Sequence, residues 1–269
     1  MLKKLTSLIL ISIFAGCTGC QGPQPKEELF VTNAFQSLKS SVLIEFGYKS
    51  GSGFVIGTGV DEEKQIRYYK IITAAHVVTG SYSEFLPSPM VTFTINGDKK
   101  LFSAEVVKKD NFVDLALLQI WTTELEPLCL PFKIASDNSY LNYFGEVLLV
   151  SYPAGLGPIA TKGIIAGVDV LDPDPAFVST AQSAPGSSGG SLVSIETGEV
   201  IGVLKSVLRL VTDDQLLGWF SIMVPASEIR RFVSVTPLDE DGFEIIPGAD
   251  RGKTNAEIKV FIKPSLEIN

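Results

Sequence analysis

One histidine, His76, occurs in the whole chain. It sits in Ile71-Ile72-Thr73-Ala74-Ala75-His76-Val77-Val78, upstream of Asp114-Leu115-Ala116-Leu117-Leu118 and of Pro185-Gly186-Ser187-Ser188-Gly189-Gly190-Ser191-Leu192. A serine hydroxyl is a poor nucleophile near neutral pH. It needs a base within hydrogen-bond reach, and that base needs a third group to hold its tautomer and stabilise the imidazolium. Only His76 can fill the middle role. Each segment alone has a plainer reading: a partly buried histidine, a strand boundary at the aspartate, and a flexible loop at Gly-Ser-Ser-Gly-Gly. Their conjunction outweighs these readings. The three come in the order His, Asp, Ser, each beside a strand-like apolar run, with separations of 38 and 74 residues. That pattern points to a His76, Asp114, Ser188 constellation and to acyl transfer through an activated serine.

Side chains so far apart in sequence must be carried together by the fold, and the periodicity is mostly that of strands. Ser41–Phe46, Gly53–Ile56, Tyr68–Ile72, Met90–Ile95, Leu101–Val107 and Leu115–Ile120 form a first set, with Asn96-Gly97-Asp98 as a hairpin turn. After a connector from Pro127 to Asn138, a second set runs through Glu146–Ser151, Thr161–Asp169, Ala176–Thr180, Leu192–Ser194, Val200–Leu208 and Trp219–Val224. The expected fold is all-β: two six-stranded antiparallel β-barrels, about residues 36–126 and 138–233. Two of the three reactive residues fall in the first barrel and one in the second. The site is therefore expected in the cleft between them, where a substrate chain can lie across both. Helices are few, with an amphipathic stretch over Val31 to Lys39 and a closing one from Pro225 to Phe232.

These motifs resemble the trypsin-like, chymotrypsin-fold serine proteases, and most closely their bacterial HtrA/Deg branch. The likeness runs from about Ser41 to Val233. It includes Gly51-Ser52-Gly53-Phe54, Tyr152-Pro153-Ala154-Gly155, Gly163-Ile164-Ile165, Gly198–Val203 and Phe220–Pro225 beside the histidine, aspartate and serine motifs. The resemblance implies Ser188 as nucleophile, His76 as general base and Asp114 as the orienting carboxylate. Acyl transfer develops negative charge on a carbonyl oxygen, so backbone N–H groups must converge on it, and glycine makes the required turn at least cost. Gly186 and Ser188 are the expected amide donors of this oxyanion hole, and a side chain at Gly186 is expected to impair turnover more than folding. Gly189 and Gly190 are expected to let neighbouring chain approach the site closely.

Some positions depart from the pattern. Ser187 stands where digestive relatives have an acid that pairs with a newly cut N-terminus, and a serine cannot neutralise a buried ammonium. Activation by such a cut is not expected. Ser191 stands where the family usually has proline. The position six before the nucleophile, at the base of the primary pocket in the resembled pattern, is Gln182, which offers no countercharge for Lys or Arg and favours a neutral substrate side chain.

Composition sets wider limits. Apolar residues make up 45% and charged residues 19%, which suits a globular body with core enough for two small barrels. The net charge is −8, or −10 with Lys3 and Lys4 removed, and this argues against phosphate-backbone binding, so nucleic acid is not an expected partner. No Cys/His cluster exists for a metal, and no cofactor motif is present.

The first 16 residues read as a processing segment: a basic start at Lys3-Lys4, an apolar run from Leu5 to Ala15, and small residues before Cys17. This resembles a bacterial lipoprotein signal, with Cys17 as the lipidated residue and Cys20 as a second choice. The plainer reading is an ordinary secretory signal. Either way the protein is expected to be exported to a bacterial cell envelope, with a membrane tie through the lipid anchor. Residues 17–35 form a linker and N-terminal segment. Cys129, in Pro127-Leu128-Cys129-Leu130-Pro131, reads as a small core residue. Residues 234–269 form a tail too short for the PDZ domain usual in the HtrA/Deg branch, and Ala256–Lys263 within it alternates like an added strand.

The leading expectation is an exported serine endopeptidase acting on polypeptides, in envelope protein quality control or processing. The alternative is a protease-fold binding or sensor lipoprotein with little turnover. Oligomers are common in the resembled branch, and Phe30 and Phe35 are the residues near the start that bear on this.

Overall fold

The computed structural model describes residues 26–80, 88–124, 126–136, 144–168, 176–212 and 215–234. The leader, Cys17 and the tail with its alternating Ala256–Lys263 lie outside the described residues. Among those described, twelve strands and two α-helices account for the regular structure, and no helix is long and apolar enough to cross a membrane. Strands β1 (Ser41–Phe46), β2 (Lys49–Asp61), β3 (Ile66–Thr73), β4 (Met90–Ile95), β5 (Asp98–Asp110) and β6 (Leu115–Thr122) close in the order β1-β2-β3-β6-β5-β4. Strands β7 (Glu146–Ser151), β8 (Ile159–Val168), β9 (Phe177–Ser179), β10 (Ser191–Ser194), β11 (Val200–Thr212) and β12 (Gln215–Pro225) close in the order β10-β11-β12-β9-β8-β7. Every pairing within the two barrels is antiparallel, as the sequence led one to expect.

Local chemistry accounts for the main features. At the β4–β5 hairpin Asn96 and Gly97 both have positive φ, 52° and 92°, which is the two-residue turn whose twist matches that of paired strands. Five pairings slip by a residue, at Val55/Gly57, Val106/Lys108, Ile165/Gly167, Leu192/Val193 and Leu204/Ser206, among others. Such bulges bend strands into closed barrels. The helix expected over Val31–Lys39 reaches back to Lys26, through Glu27, Glu28 and Leu29, which favour helix. The second helix, α2, runs Ala226–Ser234, directly after Pro225.

Alternation along the strands divides the interior into three cores. Val55, Ile71 and Leu118 point into the first barrel, while their neighbours Phe54, Ile72 and Leu117 point outward into a cluster with Leu148, Val193 and Val203 of the second barrel. Leu149, Leu192 and Leu204 fill the second barrel. Strands beside the other barrel are thus buried on both faces, which is why they read as unbroken apolar runs.

The connector belongs to both halves. Leu128 N–H donates to the Tyr69 hydroxyl (2.7 Å), Phe132 N–H to Val55 C=O (2.8 Å) and Ala135 N–H to Val200 C=O (2.9 Å). Cys129 is buried with the first core, and burial pushes its thiol up to about 12. From the closing helix, Ile229 and Phe232 join the inter-barrel cluster, and Lys108 Nζ donates to Phe232 C=O (2.8 Å) while lying 5.0 Å from the centre of its ring.

Candidate active site

His76 sits in a short 3-10 turn, Ala75–Val78, that leaves β3 at the edge of the first barrel. Asp114 precedes β6, the partner strand of β3, so the ladder brings the two segments side by side. The Asp110 carboxylate accepts from Phe112 N–H (2.8 Å) and Val113 N–H (3.1 Å), a side-chain turn that shapes the approach to Asp114. Asp114 itself has φ 64°, in the left-handed region that aspartate tolerates better than most residues.

Its carboxylate then meets the histidine at two points. Oδ2 lies 2.8 Å from His76 Nδ1, and Oδ1 accepts from His76 N–H at 2.9 Å. This places the proton of a neutral ring on Nδ1 and leaves Nε2 as a base. The aspartate side chain is 12% exposed and the histidine 48%, so the orienting charge is shielded while the ring stays open to a reactant.

The serine loop comes from the second barrel. Ser188 C=O accepts from Ser52 N–H of β2 at 2.7 Å. Gly189 has φ 84°, and a Cβ there would lie 2.1 Å from Ser52 C=O, 2.3 Å from Thr73 Oγ1 and 2.9 Å from Ala74 N. A Cβ at Gly51 would meet both Val77 and the Ser188 carbonyl. The residues around Ser188 therefore pack on the chain at both sides of His76. Among the described residues the Ser188 hydroxyl has no hydrogen-bond partner, His76 included, and such bonds are often loose in a free enzyme and tighten when substrate binds.

The amides of the loop are used selectively. Ser187 N–H donates to Ala184 C=O, Gly189 N–H to Leu204 C=O and Gly190 N–H to Ser187 C=O, all between 2.8 and 2.9 Å. The N–H groups of Gly186 and Ser188 meet no acceptor among the described residues. The Pro185 carbonyl, one peptide before the Gly186 nitrogen, accepts from Ala154 N–H (2.7 Å).

Gly186 has φ 92°, and a Cβ would lie 2.8 Å from both Ala154 N and Tyr152 O. A side chain there bears on folding, because backbone on the far side cannot yield as a flexible side chain would.

Other residues read from the sequence are placed as follows. Ser187 is buried, and its hydroxyl accepts from Ser151 Oγ (3.0 Å) and Ala184 N–H (3.2 Å), a neutral arrangement. Ser191 opens β10 fully buried, with a hydroxyl that finds no hydrogen-bond partner among the described residues. Gln182 is exposed, and its carbonyl accepts from Thr161 Oγ1 (2.7 Å). Among the described residues no group of His, Cys, Asp and Glu side chains is arranged to hold a metal ion.

Two residues that the sequence reading placed only within family-like runs have contacts at the site that it did not assign. Tyr152, next to the serine loop, is buried and donates its hydroxyl to Ser41 C=O (3.2 Å) in the first barrel, and burial raises its phenol above the usual range, so it stays a neutral donor. Ser52 bonds the loop directly. Its signals were the family-like run Gly51-Ser52-Gly53-Phe54 and the small residues in it, which mark close approach without saying what approaches.

A serine loop beside an oriented imidazole, with two N–H groups that meet no acceptor among the described residues, has the groups that acyl transfer needs. Residues 51–203 match the family model of the trypsin-like peptidase domain. The magnetosome formation protease MamE of Paramagnetospirillum magneticum is 28% identical over 64% of this chain and 22% of its own length. Serine protease Do-like HtrA of Lactococcus lactis is 26% identical over 69% of the chain and 45% of its length. Periplasmic serine endoprotease DegP of Salmonella typhimurium is 27% identical over 73% and 40%. The chain thus spans less than half the length of these relatives. Among solved structures, Deg5 superposes with a TM-score of 0.60 at 22% identity, covering 78% of this chain and 94% of that one, a likeness of fold. By the extent of the family match, and with both barrels in place, the chain belongs to the trypsin-like peptidase family.

Proposed function

We propose that the protein is a serine endopeptidase that hydrolyses polypeptides through an acyl-enzyme. His76 accepts the Ser188 proton through Nε2 as Ser188 Oγ attacks the scissile carbonyl, and Asp114 stabilises the imidazolium that forms. The Gly186 and Ser188 N–H groups receive the developing oxyanion. His76 then returns the proton to the leaving amine, and a water repeats the sequence on the ester. The observation that carries this reading is the two-point bond between Asp114 and His76 on the segment against which the Ser188 loop packs.

The working body in this reading spans residues 36–233, exported behind the leader and tied to the envelope by lipid on Cys17. Its place there is protein quality control or processing, in keeping with the names periplasmic serine endoprotease and magnetosome formation protease borne by its relatives. Gln182 contributes a neutral primary pocket. Phe35, exposed on the first helix, is available for association between copies.

The unbonded Ser188 hydroxyl favours one competing reading, a binding or sensor lipoprotein that has kept the fold with little turnover. A fluorophosphonate probe separates the two. Labelling of the parent protein that disappears in Ser188→Ala, with thermal stability nearly unchanged, supports the enzyme. Absence of labelling in the parent supports the binding protein, and labelling retained in the variant moves the nucleophile to Ser187 or Ser191.

A further inference from the structure

Ser52, in β2 of the first barrel, is fully buried, yet each of its polar groups is engaged at the site. Its N–H donates to Ser188 C=O (2.7 Å) and its hydroxyl donates to Gly186 C=O (2.8 Å). The hydroxyl oxygen also accepts from Tyr152 N–H (2.8 Å), and the Ser52 carbonyl accepts from Thr73 Oγ1 (2.7 Å), three residues before His76. One residue of the first barrel thus holds two carbonyls of the serine loop from the second.

We propose that Ser52 is a positioning residue that assembles the oxyanion site across the barrel interface, its hydroxyl fixing the Gly186–Ser187 peptide plane that lies between the two donor N–H groups. This rests on the reading that Gly186 and Ser188 supply the oxyanion donors. Peptide units are planar, so each N–H points as its own plane does, and that plane is steadied by its own hydrogen bonds and, through the torsions at the joint, by the plane that follows. Gly186, at φ 92°, is the loosest joint in the loop because glycine has no Cβ to restrict it.

The plane before Gly186 is held by Ala154 N–H on Pro185 C=O, and the plane after it by Ser52 Oγ on Gly186 C=O, together with Ser187 N–H on Ala184 C=O. The Ser52 N–H then holds the plane after Ser188. Loss of the hydroxyl frees one anchor beside the glycine joint and leaves Gly186 C=O and Tyr152 N–H short of a partner inside the protein. An oxyanion donor that wanders stabilises the transition state less while leaving ground-state binding alone. A serine here also makes the site conditional on barrel registry. Its bonds reach the nucleophile loop on one side and the histidine strand on the other, so the donors point correctly only when both barrels are docked.

The test compares the parent with Ser52→Ala and Ser52→Cys, the latter keeping the side chain's place with a weak donor. It measures the acylation burst with p-nitrophenyl acetate and the affinity for a peptide boronic acid, well below the melting temperature. Ser52→Ala is expected to slow acylation about ten- to a hundredfold, part of the effect of deleting an oxyanion donor outright. The dissociation constant of the non-covalent complex, read from the dependence of the burst rate on substrate concentration, should stay within twofold. Boronate affinity should fall by the same factor as the rate, and Ser52→Cys should lie between parent and alanine variant in both. Should Ser52→Ala fail to fold, the cysteine variant carries the comparison. Acylation and boronate binding within twofold of the parent, with only the melting temperature lowered, would overturn the proposal, as would a loss confined to ground-state binding. A parent without burst or probe labelling would instead overturn the enzymatic reading itself.

Discussion

Asp114 holds its two contacts to His76 from a left-handed backbone that asparagine also adopts readily, so Asp114→Asn can keep the loop while changing the chemistry. The amide oxygen can still accept from His76 N–H, but the amide nitrogen then faces Nδ1 and favours the wrong tautomer. The expected loss in kcat is on the order of 10⁴, read by steady-state cleavage of a fluorogenic peptide. A loss below tenfold would reject Asp114 as the orienter and turn attention to Asp110, whose carboxylate is engaged with its own loop.

Because the base must be neutral and the chain holds one histidine, kcat/KM should rise with pH through a single ionisation. A flat profile from pH 5 to 9, with chemistry rate-limiting, would remove His76 from the mechanism. Cys129 answers to pH in another way. Its thiol is held neutral by burial up to about 12, against 9.0 for an ordinary thiol. An unfolded chain therefore loses this proton first, and the contribution of Cys129 to stability is present below pH 9.0 and lost as pH rises towards 12. Native protein should resist iodoacetamide at pH 8, whereas protein in denaturant reacts at once.

At the scale of elements, the serine loop is a turn clamped from three directions: by Ala154, by Ser52 and by the start of β11 through Leu204. Gly186→Ala tests the clamp. The left-handed backbone alone costs a residue with Cβ about 1–2 kcal/mol, and two backbone atoms 2.8 Å from the new carbon add to it. The variant should show a lower urea midpoint together with reduced acylation. Unchanged stability with reduced acylation would mean that the turn adapts, and that Ala154 and Tyr152 give way.

For the whole molecule, the deciding feature is the cluster shared between barrels. Phe54 and Phe132 meet edge to face at 5.8 Å, and Ile72, Leu117, Leu148, Val203 and Phe232 complete the interface. Each such side chain contributes roughly 1.5–3 kcal/mol by leaving water, so parting the barrels would cost as much as the stability of an ordinary domain, about 5–15 kcal/mol. The barrels should unfold together. The chain has two tryptophans, Trp121 in β6 and Trp219 in β12, one in each barrel. Trp121→Phe and Trp219→Phe leave one reporter apiece, and their fluorescence transitions in urea should coincide. Separate midpoints would show that each barrel stands alone.

The sequence by itself determined the strand set, because alternation, apolar runs and the Asn96-Gly97 turn are local signals with local causes. It also determined which residue types could be base, orienter and nucleophile, since one histidine left no choice for the first. It could not say that neighbouring residues such as Ile71 and Ile72 serve different cores, because burial on both faces erases the alternation. Nor could it say what Ser52 bonds, since its hydroxyl meets the Gly186 carbonyl 134 residues away and the Tyr152 N–H 100 residues away. The peptide planes on either side of Gly186 are held by Ala154 in one barrel and by Ser52 in the other, and only tertiary contact decided that, since a glycine in isolation prefers no one conformation.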